Sequence, residues 1–311
     1  MCDNGSEDDS LGRIKAWADG RLDASPPAEL PPGCVLPAAH VATVPYIEGA
    51  GISGIAGPDA ACGGPSGGGA DAKLILFQTG RNLGFGGANN VALRWILGRK
   101  DGDYVWLLNN DTIVPRDTLS TMVRDAAGHC GITGSVLRAI SAPHALQAFG
   151  GGHVSPLTGW TRPELKESRA TLGYVCGASL MLDRRVLSAV GLFDENIFMY
   201  FEDADYGIRA QRLGFTMRTS EATVFHKVGG SDAGSFFAWK HAYRNKVYVL
   251  LKHYGFRWWV LCSGLAWLAH LIDPFALPAK RRASMEALAC LGKAARTRLV
   301  ARTAGRAGGR G

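Results

Sequence analysis

The sequence predicts an α/β fold, with helices alternating with the strands of a largely parallel sheet. Three observations carry that expectation. Tyr104-Val105-Trp106-Leu107-Leu108 is a continuous apolar run that stops at Asn109-Asn110-Asp111, as a strand buried on both faces does. Helical periodicity lies on either side of it, at Asn89–Leu97 with Leu93, Ile96 and Leu97 on one face, and at Leu119–Ala127. The 311 residues are 47% hydrophobic and 20% charged, which excludes wholesale disorder and supplies apolar mass for a large core.

In chain order, Leu11–Ala18 reads as a short helix, and Ser25–Ala72 as a long irregular insertion rich in Pro, Gly and Ala. Lys73–Phe77 is a short strand and Gly84–Gly87 a glycine turn ahead of the Asn89 helix. Ile132–Leu137 and Ser179–Leu182 are further strands. Asp203–Leu213 is a helix closed by Gly214, followed by two extended pieces, Phe215–Arg218 and Thr223–Phe225. From Ser235 the pattern is helical. Trp258–Ile272 is a nearly uncharged 15-residue run, shorter than the roughly 20 residues a spanning helix needs, so it reads as interfacial or simply buried.

Charge is uneven. Residues 276–311 hold nine Lys/Arg and one acid, Glu286, against +7 for the whole chain, so the other 275 residues come to −1. A basic tail on a near-neutral body suits an anionic membrane surface, and without interleaved aromatics it does not suit nucleic acid. The seven cysteines are odd in number and form no C-x-x-C pair, which speaks against a zinc ribbon or a secreted disulfide framework. No basic-then-apolar signal segment opens the sequence. H-E-x-x-H and G-x-S-x-G are absent, which leaves zincin and serine-hydrolase readings without support.

Three constellations bear chemistry. Asp111 stands where an apolar strand ends, beside Asn109 and Asn110. A carboxylate there can hold a hard divalent cation, although Asn-Asn-Asp-Thr also serves as a plain turn and helix cap. Phe201-Glu202-Asp203-Ala204-Asp205-Tyr206 puts three carboxylates into four residues at a helix start, suited either to general-base work or to an acidic first turn, with Arg209 placed to pair with Asp205. A calcium EF-hand is excluded, since the loop lacks its sixth-position Gly and has Gly214 where the Glu belongs. His226 ends a strand-like piece before Lys227-Val228-Gly229-Gly230-Ser231, a place for a phosphate or metal site as well as for a structural histidine. The turn Asn82-Leu83-Gly84-Phe85-Gly86-Gly87 fits neither G-x-G-x-x-G nor a P-loop.

Taken in order, these pieces resemble the family 2 glycosyltransferases, notably the bacterial rhamnosyltransferase-like and galactofuranosyltransferase-like members. Asp3-Asn4-Gly5-Ser6 is similar to the family's D-N-x-S strand end, and Asn82 to Asn90 to its N-x-G-F-x-x-x-N-N turn. Leu107 to Asp111 takes the D-x-D-type position, and Gly177-Ala178 through Glu195 resembles the acceptor-side segment. Glu202-Asp203-Ala204-Asp205 resembles E-D-x-D, His226 to Ser231 H-x-x-G-x-S, and Arg244-Asn245 the helical R-N that follows.

The resemblance implies a GT-A fold over 1–234, followed by C-terminal helices and the basic tail over 235–311. It implies an inverting, metal-dependent enzyme that moves a sugar from a dTDP- or UDP-linked donor to a glycan or lipid-linked acceptor in cell-surface polysaccharide synthesis. Asp3, Asn82, Gly84, Asn90, Asn110 and Asp111 would bind the donor, with Asp3 on the nucleobase. Asp111 and His226 would ligate Mg²⁺ or Mn²⁺. Asp203 would be the base, supported by Glu202 and Asp205. The family's opening apolar strand is not seen ahead of Asp3, so the resemblance also implies a chain lacking its first strand and, as the alternative, a catalytically inactive sugar- or membrane-binding fragment. The expected place is the cytoplasmic face of the membrane, with peripheral contact through 258–311.

Overall fold

The computed structural model describes residues 1–22, 31, 34, 46–48, 74–99, 101–155, 158–168, 171–227, 235–272, 282 and 286. Most of the expected insertion at 25–72, the glycine loop after Lys227 and the basic tail apart from Arg282 and Glu286 lie outside the described residues. The chain divides into two units: Met1–Val154 with Thr161–Val228, and Ser155–Trp160 with Gly229–Gly311.

The first unit opens with β1 (Cys2–Asp3), α1 (Ser10–Ala18), β2 (Tyr46–Glu48), β3 (Leu74–Gln78) and α2 (Gly84–Gly98). The three strands form a parallel sheet in the order β1-β3-β2. Next come β4 (Tyr104–Leu108), β5 (Thr112–Ile113), α3 (Thr118–Ala126), β6 (Gly131–Ala139), β7 (Leu146–Phe149), β8 (Gly151–Val154), β9 (Thr161–Pro163), β10 (Tyr174–Val175), β11 (Ser179–Asp183), α4 (Arg184–Val190), α5 (Glu202–Arg212) and β12 (Thr216–His226). The main sheet runs β4-β11-β6-β12-β5 with β7 against β6, and β8 pairs between β9 and β10 in a small antiparallel sheet.

The α/β class holds, but the strand directions are mixed. In the main sheet β6 and β12 are parallel, while β11 runs antiparallel to both β4 and β6, and β5 and β7 are antiparallel to their neighbours. The apolar run at 104–108 suggested a parallel sheet because both its faces are covered. Val105 and Leu107 join Leu93, Leu180, Leu182, Leu187 and Tyr206 in one core. Tyr104 and Trp106 pack with Met122, Ala126, Met181 and Ala222 of the other. A continuous apolar run reports coverage on two faces and is silent about direction.

The two extended pieces expected near 215–225 are one strand. Its register against β6 shifts between Thr219 and Thr223. There Ser220 Oγ (2.6 Å) and the Glu221 amide (3.0 Å) donate to Asp125 Oδ2 of α3. A helix-borne carboxylate thus holds an irregularity that reads in sequence as a break.

In the second unit, α6 spans Phe236–Ile272 and is broken at Gly255, whose φ of 83° no helix accepts. Trp160 packs edge-on against Tyr243 with centroids 4.9 Å apart, and the Lys246 ammonium lies 4.4 Å from the Trp160 ring centre. The run expected to be interfacial or buried, Trp258–Ile272, is helical in its backbone. Among the described residues no helix is long and apolar enough to cross a membrane.

Candidate active site

Three groups of the expected residues gather within the first unit. The first lies at the carboxyl ends of β1 and β3, the end at which open α/β sheets bind ligands. Asn4 accepts from the Leu83 amide through Oδ1 (2.9 Å) and donates through Nδ2 to Asn82 Oδ1 (3.0 Å), which also accepts from the Gly84 amide (2.9 Å). Two asparagine side chains therefore cap the first turn of α2. Asp3 precedes Asn4 and accepts from the Ser6 amide at 3.4 Å.

The glycines expected as a turn are the opening of α2 itself. Gly84 has a φ of +74°, and a Cβ there would stand 2.0 Å from the Phe198 carbonyl oxygen, which also accepts from the Phe85 amide (2.9 Å). Only a residue without a side chain allows that approach. Asn90, expected at the donor, has a different job. It is fully buried, accepts from the Phe193 amide (2.9 Å), and donates to the Phe193 carbonyl (3.0 Å) and Glu195 (2.9 Å). It ties α2 to the segment after α4. Asn110 is exposed at the turn after β4.

The second group forms across β5 and β12. His226 is registered opposite Thr112, and the Lys227 amide donates to the Asp111 carbonyl (3.1 Å). That ladder brings His226 Nε2 within 3.3 Å of Asp111 Oδ1. Gln147, which motif reading does not single out, holds the ring from the other side: its Oε1 lies 3.0 Å from Nδ1, and its Nε2 donates to the His226 carbonyl (2.9 Å). Asp111 Oδ1 is buried and has no hydrogen-bond partner among the described residues. An orphaned carboxylate oxygen facing an imidazole nitrogen fits a divalent cation. Among the described residues no cluster of three or more such ligands occurs, so phosphate oxygens or water would complete the shell.

The third group opens α5. Tyr200 (φ +67°) and Phe201 (φ +74°) are successive non-glycine residues in the left-handed region, a strain of about 1–3 kcal/mol each. Phe201 is buried, and its carbonyl accepts from the Asp205 amide (2.9 Å), so the helix start holds the turn in place. Asp203 accepts from the Ala204 amide through Oδ1 (2.8 Å) and from the Gly177 amide through Oδ2 (3.3 Å). Glu202 is buried, and its Oε2 has no partner among the described residues. Enclosure raises both carboxyls above the ordinary range, and Asp203 raises Glu202 further; one amide, its own, pulls Glu202 back, while the amides of Ala204, Gly177 and Asp203 pull Asp203 back. Of the two, Glu202 is pushed up further, and Asp203 is the one that accepts from the Ala204 and Gly177 amides. Asp205, expected beside the base or the acceptor, is fully buried. It pairs with Arg209 (2.9 Å), which also donates to the Val190 and Leu192 carbonyls. It anchors the helix and cannot reach an acceptor.

This pair has a stability signature. A carboxyl whose pKa is raised on folding keeps a proton that the unfolded chain has lost, so stability is full below the unfolded value near pH 4 and falls as pH rises through the folded one. Glu202→Gln is expected to raise stability at pH 8 by about 1–2 kcal/mol and to leave it unchanged near pH 4. Thermal unfolding at both pH values checks this; equal shifts would contradict it.

The groups meet at Cys176-Gly177-Ala178. The Asn109 amide, two residues before Asp111, donates to the Ala178 carbonyl (3.1 Å), and the Gly177 amide reaches Asp203. A Cβ on Gly177 would lie 3.1 Å from the tip of the Phe85 ring, at the start of α2. Gly177 thus neighbours Asp203 and the start of α2, and Ala178 beside it bonds the strand end that leads to Asp111. The resemblance marks Gly177 as the start of the acceptor-side segment, but its bond to Asp203 is visible only in the fold.

An α/β sheet with an Asp–His pair and an acid pair in this order is the arrangement that the resemblance to sugar-transferring enzymes leads one to expect. The chain is 29% identical over 252 residues to the N-acetylglucosaminyl-diphospho-decaprenol L-rhamnosyltransferase of Mycobacterium tuberculosis, covering 69% of this chain and 80% of the relative. It is 22% identical over 143 residues to the low-salt glycan biosynthesis hexosyltransferase Agl10 of Haloferax volcanii, covering 45% and 47%. Among solved structures, GalNAc-T7 with UDP, GalNAc and Mn²⁺ aligns with a TM-score of 0.44 at 14% identity, over 57% of this chain and about a third (36%) of that one. No protein-family model matches the chain. The chain is a glycosyltransferase of the mixed α/β class.

Proposed function

We propose that this chain is an inverting, metal-dependent member of glycosyltransferase family 2 that transfers a hexosyl group from a dTDP- or UDP-linked donor to a lipid-linked glycan acceptor. The observation that carries the reading is the acid pair at the start of α5, with Asp203 partly exposed beside a glycine amide and Glu202 buried next to it. Asp203 accepts the proton of the acceptor hydroxyl as that oxygen attacks the anomeric carbon and the nucleoside diphosphate leaves from the opposite side. A single base and a single displacement invert the centre. Asp111 and His226 would hold Mg²⁺ or Mn²⁺, which when bound offsets the charge growing on the diphosphate. Asp3, at the end of β1, and Asn82, in the loop after β3, would take the nucleoside side of the donor. The name of the mycobacterial relative supports a polyprenyl-diphosphate-linked acceptor in cell-wall synthesis. The basic residues of 276–311 suit the anionic cytoplasmic face of the membrane.

Calorimetry with UDP- and dTDP-sugars tests the reading. Binding is expected with Mn²⁺ and is expected to vanish when EDTA removes it. Binding of equal strength in EDTA would overturn the metal assignment.

A further inference from the structure

We propose that Gln147 is a positioning residue that fixes His226 in its Nδ1–H form and so leaves Nε2, which faces Asp111, free to take a cation. This rests on the metal reading above and assigns it a supporting residue. The orientation of the Gln147 amide is set by the backbone. The His226 carbonyl can only accept, so the group 2.9 Å from it is the NH₂. The amide oxygen then faces Nδ1 at 3.0 Å, and a carbonyl oxygen can only accept, so Nδ1 carries the hydrogen. In neutral imidazole the other nitrogen bears the lone pair.

That lone pair points at an atom with nothing to donate. Nε2 and Asp111 Oδ1 are 3.3 Å apart, and the oxygen is buried without a hydrogen-bond partner among the described residues. Two electron-rich atoms at that distance repel unless a cation lies between them, and the Gln147 clamp prevents the neutral ring from easing the contact by moving its proton to Nε2. Both donor atoms are also held by main chain, through the Thr112–His226 register and the Lys227 amide on the Asp111 carbonyl.

The fold makes a place for Gln147 in particular. The pairing of β6 with β7 runs Val136–Phe149, Leu137–Ala148 and then Arg138–Leu146, which leaves Gln147 as the extra residue of a β-bulge. β12 and β7 pair with the same stretch of β6, from opposite edges. The bulge turns the glutamine out of the ladder and across the end of β6 onto His226. Bulges that re-aim one side chain are a recurrent device beside active sites, and ligating histidines depend on a partner at the second nitrogen for orientation and basicity.

The test uses the full chain. Long-range ¹H–¹⁵N correlations of the His226 ring, taken without metal, report the tautomer, and electron paramagnetic resonance of Mn²⁺ with UDP present reports affinity. Wild type is expected in the Nδ1–H form. Gln147→Met keeps the volume without the bonds and is expected to give mixed tautomers and about 10–100-fold weaker Mn²⁺ binding. Gln147→Glu keeps an acceptor for Nδ1–H and is expected to restore the tautomer and most of the affinity. A wild-type ring protonated at Nε2 would overturn the proposal whether or not the variants fold, and so would a Gln147→Met protein binding Mn²⁺ as wild type does. If no form binds Mn²⁺, the metal reading fails and takes the ligand role with it, while the ring signal still shows whether the clamp is real.

Discussion

Replacing Asp203 by Asn is expected to cut the turnover of sugar transfer by about 10²–10⁴-fold, the range over which a positioned general base contributes. That is about 3–5 kcal/mol of barrier, at 1.36 kcal/mol per tenfold. Asn is nearly isosteric and can still accept from the Ala204 or Gly177 amide, so the loop and the start of α5 should keep their form. Donor affinity should therefore change little, and the loss should fall on turnover. The wild-type pH profile carries a second mark. Enclosure holds Asp203 above the ordinary carboxylate range, so the acid limb of kcat/KM should lie above that of a solvent-exposed aspartate. Wild-type turnover in Asp203→Asn would end the base assignment. An unchanged donor affinity alongside lost turnover would separate chemistry from misfolding.

Asp111→Asn is expected to lower Mn²⁺-supported transfer by about 100-fold or more, since charge stabilisation by a bound cation is worth several kcal/mol. The substitution keeps the size of the side chain and, with it, the main-chain bond from Lys227 to the residue 111 carbonyl. What it removes is the anionic charge at an oxygen that has no hydrogen-bond partner among the described residues. Here, in contrast to Asp203→Asn, donor binding should weaken as well, because the cation is shared with the donor diphosphate. Raising Mn²⁺ should recover part of the activity if affinity is what was lost. Transfer that is insensitive to both the mutation and EDTA would place the reaction outside metal-dependent chemistry. The two variants thus differ in kind: one is expected to lose turnover with the donor still bound, the other to lose donor and metal together.

The difference between them was partly legible in advance. Asp111 and the Glu202-Asp203 pair stand at the end of an apolar run and the start of a helix, positions that local pattern finds. The sequence set Asp205 apart from Asp203 only through Arg209, placed four residues on to pair with it. Two residues apart at a helix start, they part company only because Arg209, four residues on, and the carbonyls of Val190 and Leu192 enclose one of them, while Gly177 meets the other. Asn90 and Asn82 divide in the same way. Both belong to one glycine-rich segment, yet one is spent on Phe193 inside the core and the other caps α2 at the surface.

The strands tell a similar story. β3, β4 and β11 were found from their apolar runs, because side-chain burial leaves a periodic trace. The short strands β5 and β7 to β10 left little trace, since two to four residues rich in Gly and polar side chains make no period. Their pairing nevertheless delivers His226 to Asp111 and Gln147 to His226.

By itself, then, the sequence determined the α/β class, the covered apolar strands and which residue types stand at their ends, because burial and capping act over a few residues and are written locally. The tertiary structure alone decided which carboxylate meets the Gly177 amide, which asparagine faces solvent, and which glutamine, 79 residues from His226, reaches its ring. Those outcomes depend on desolvation and on hydrogen bonds between distant segments, which exist only once the sheet has been assembled.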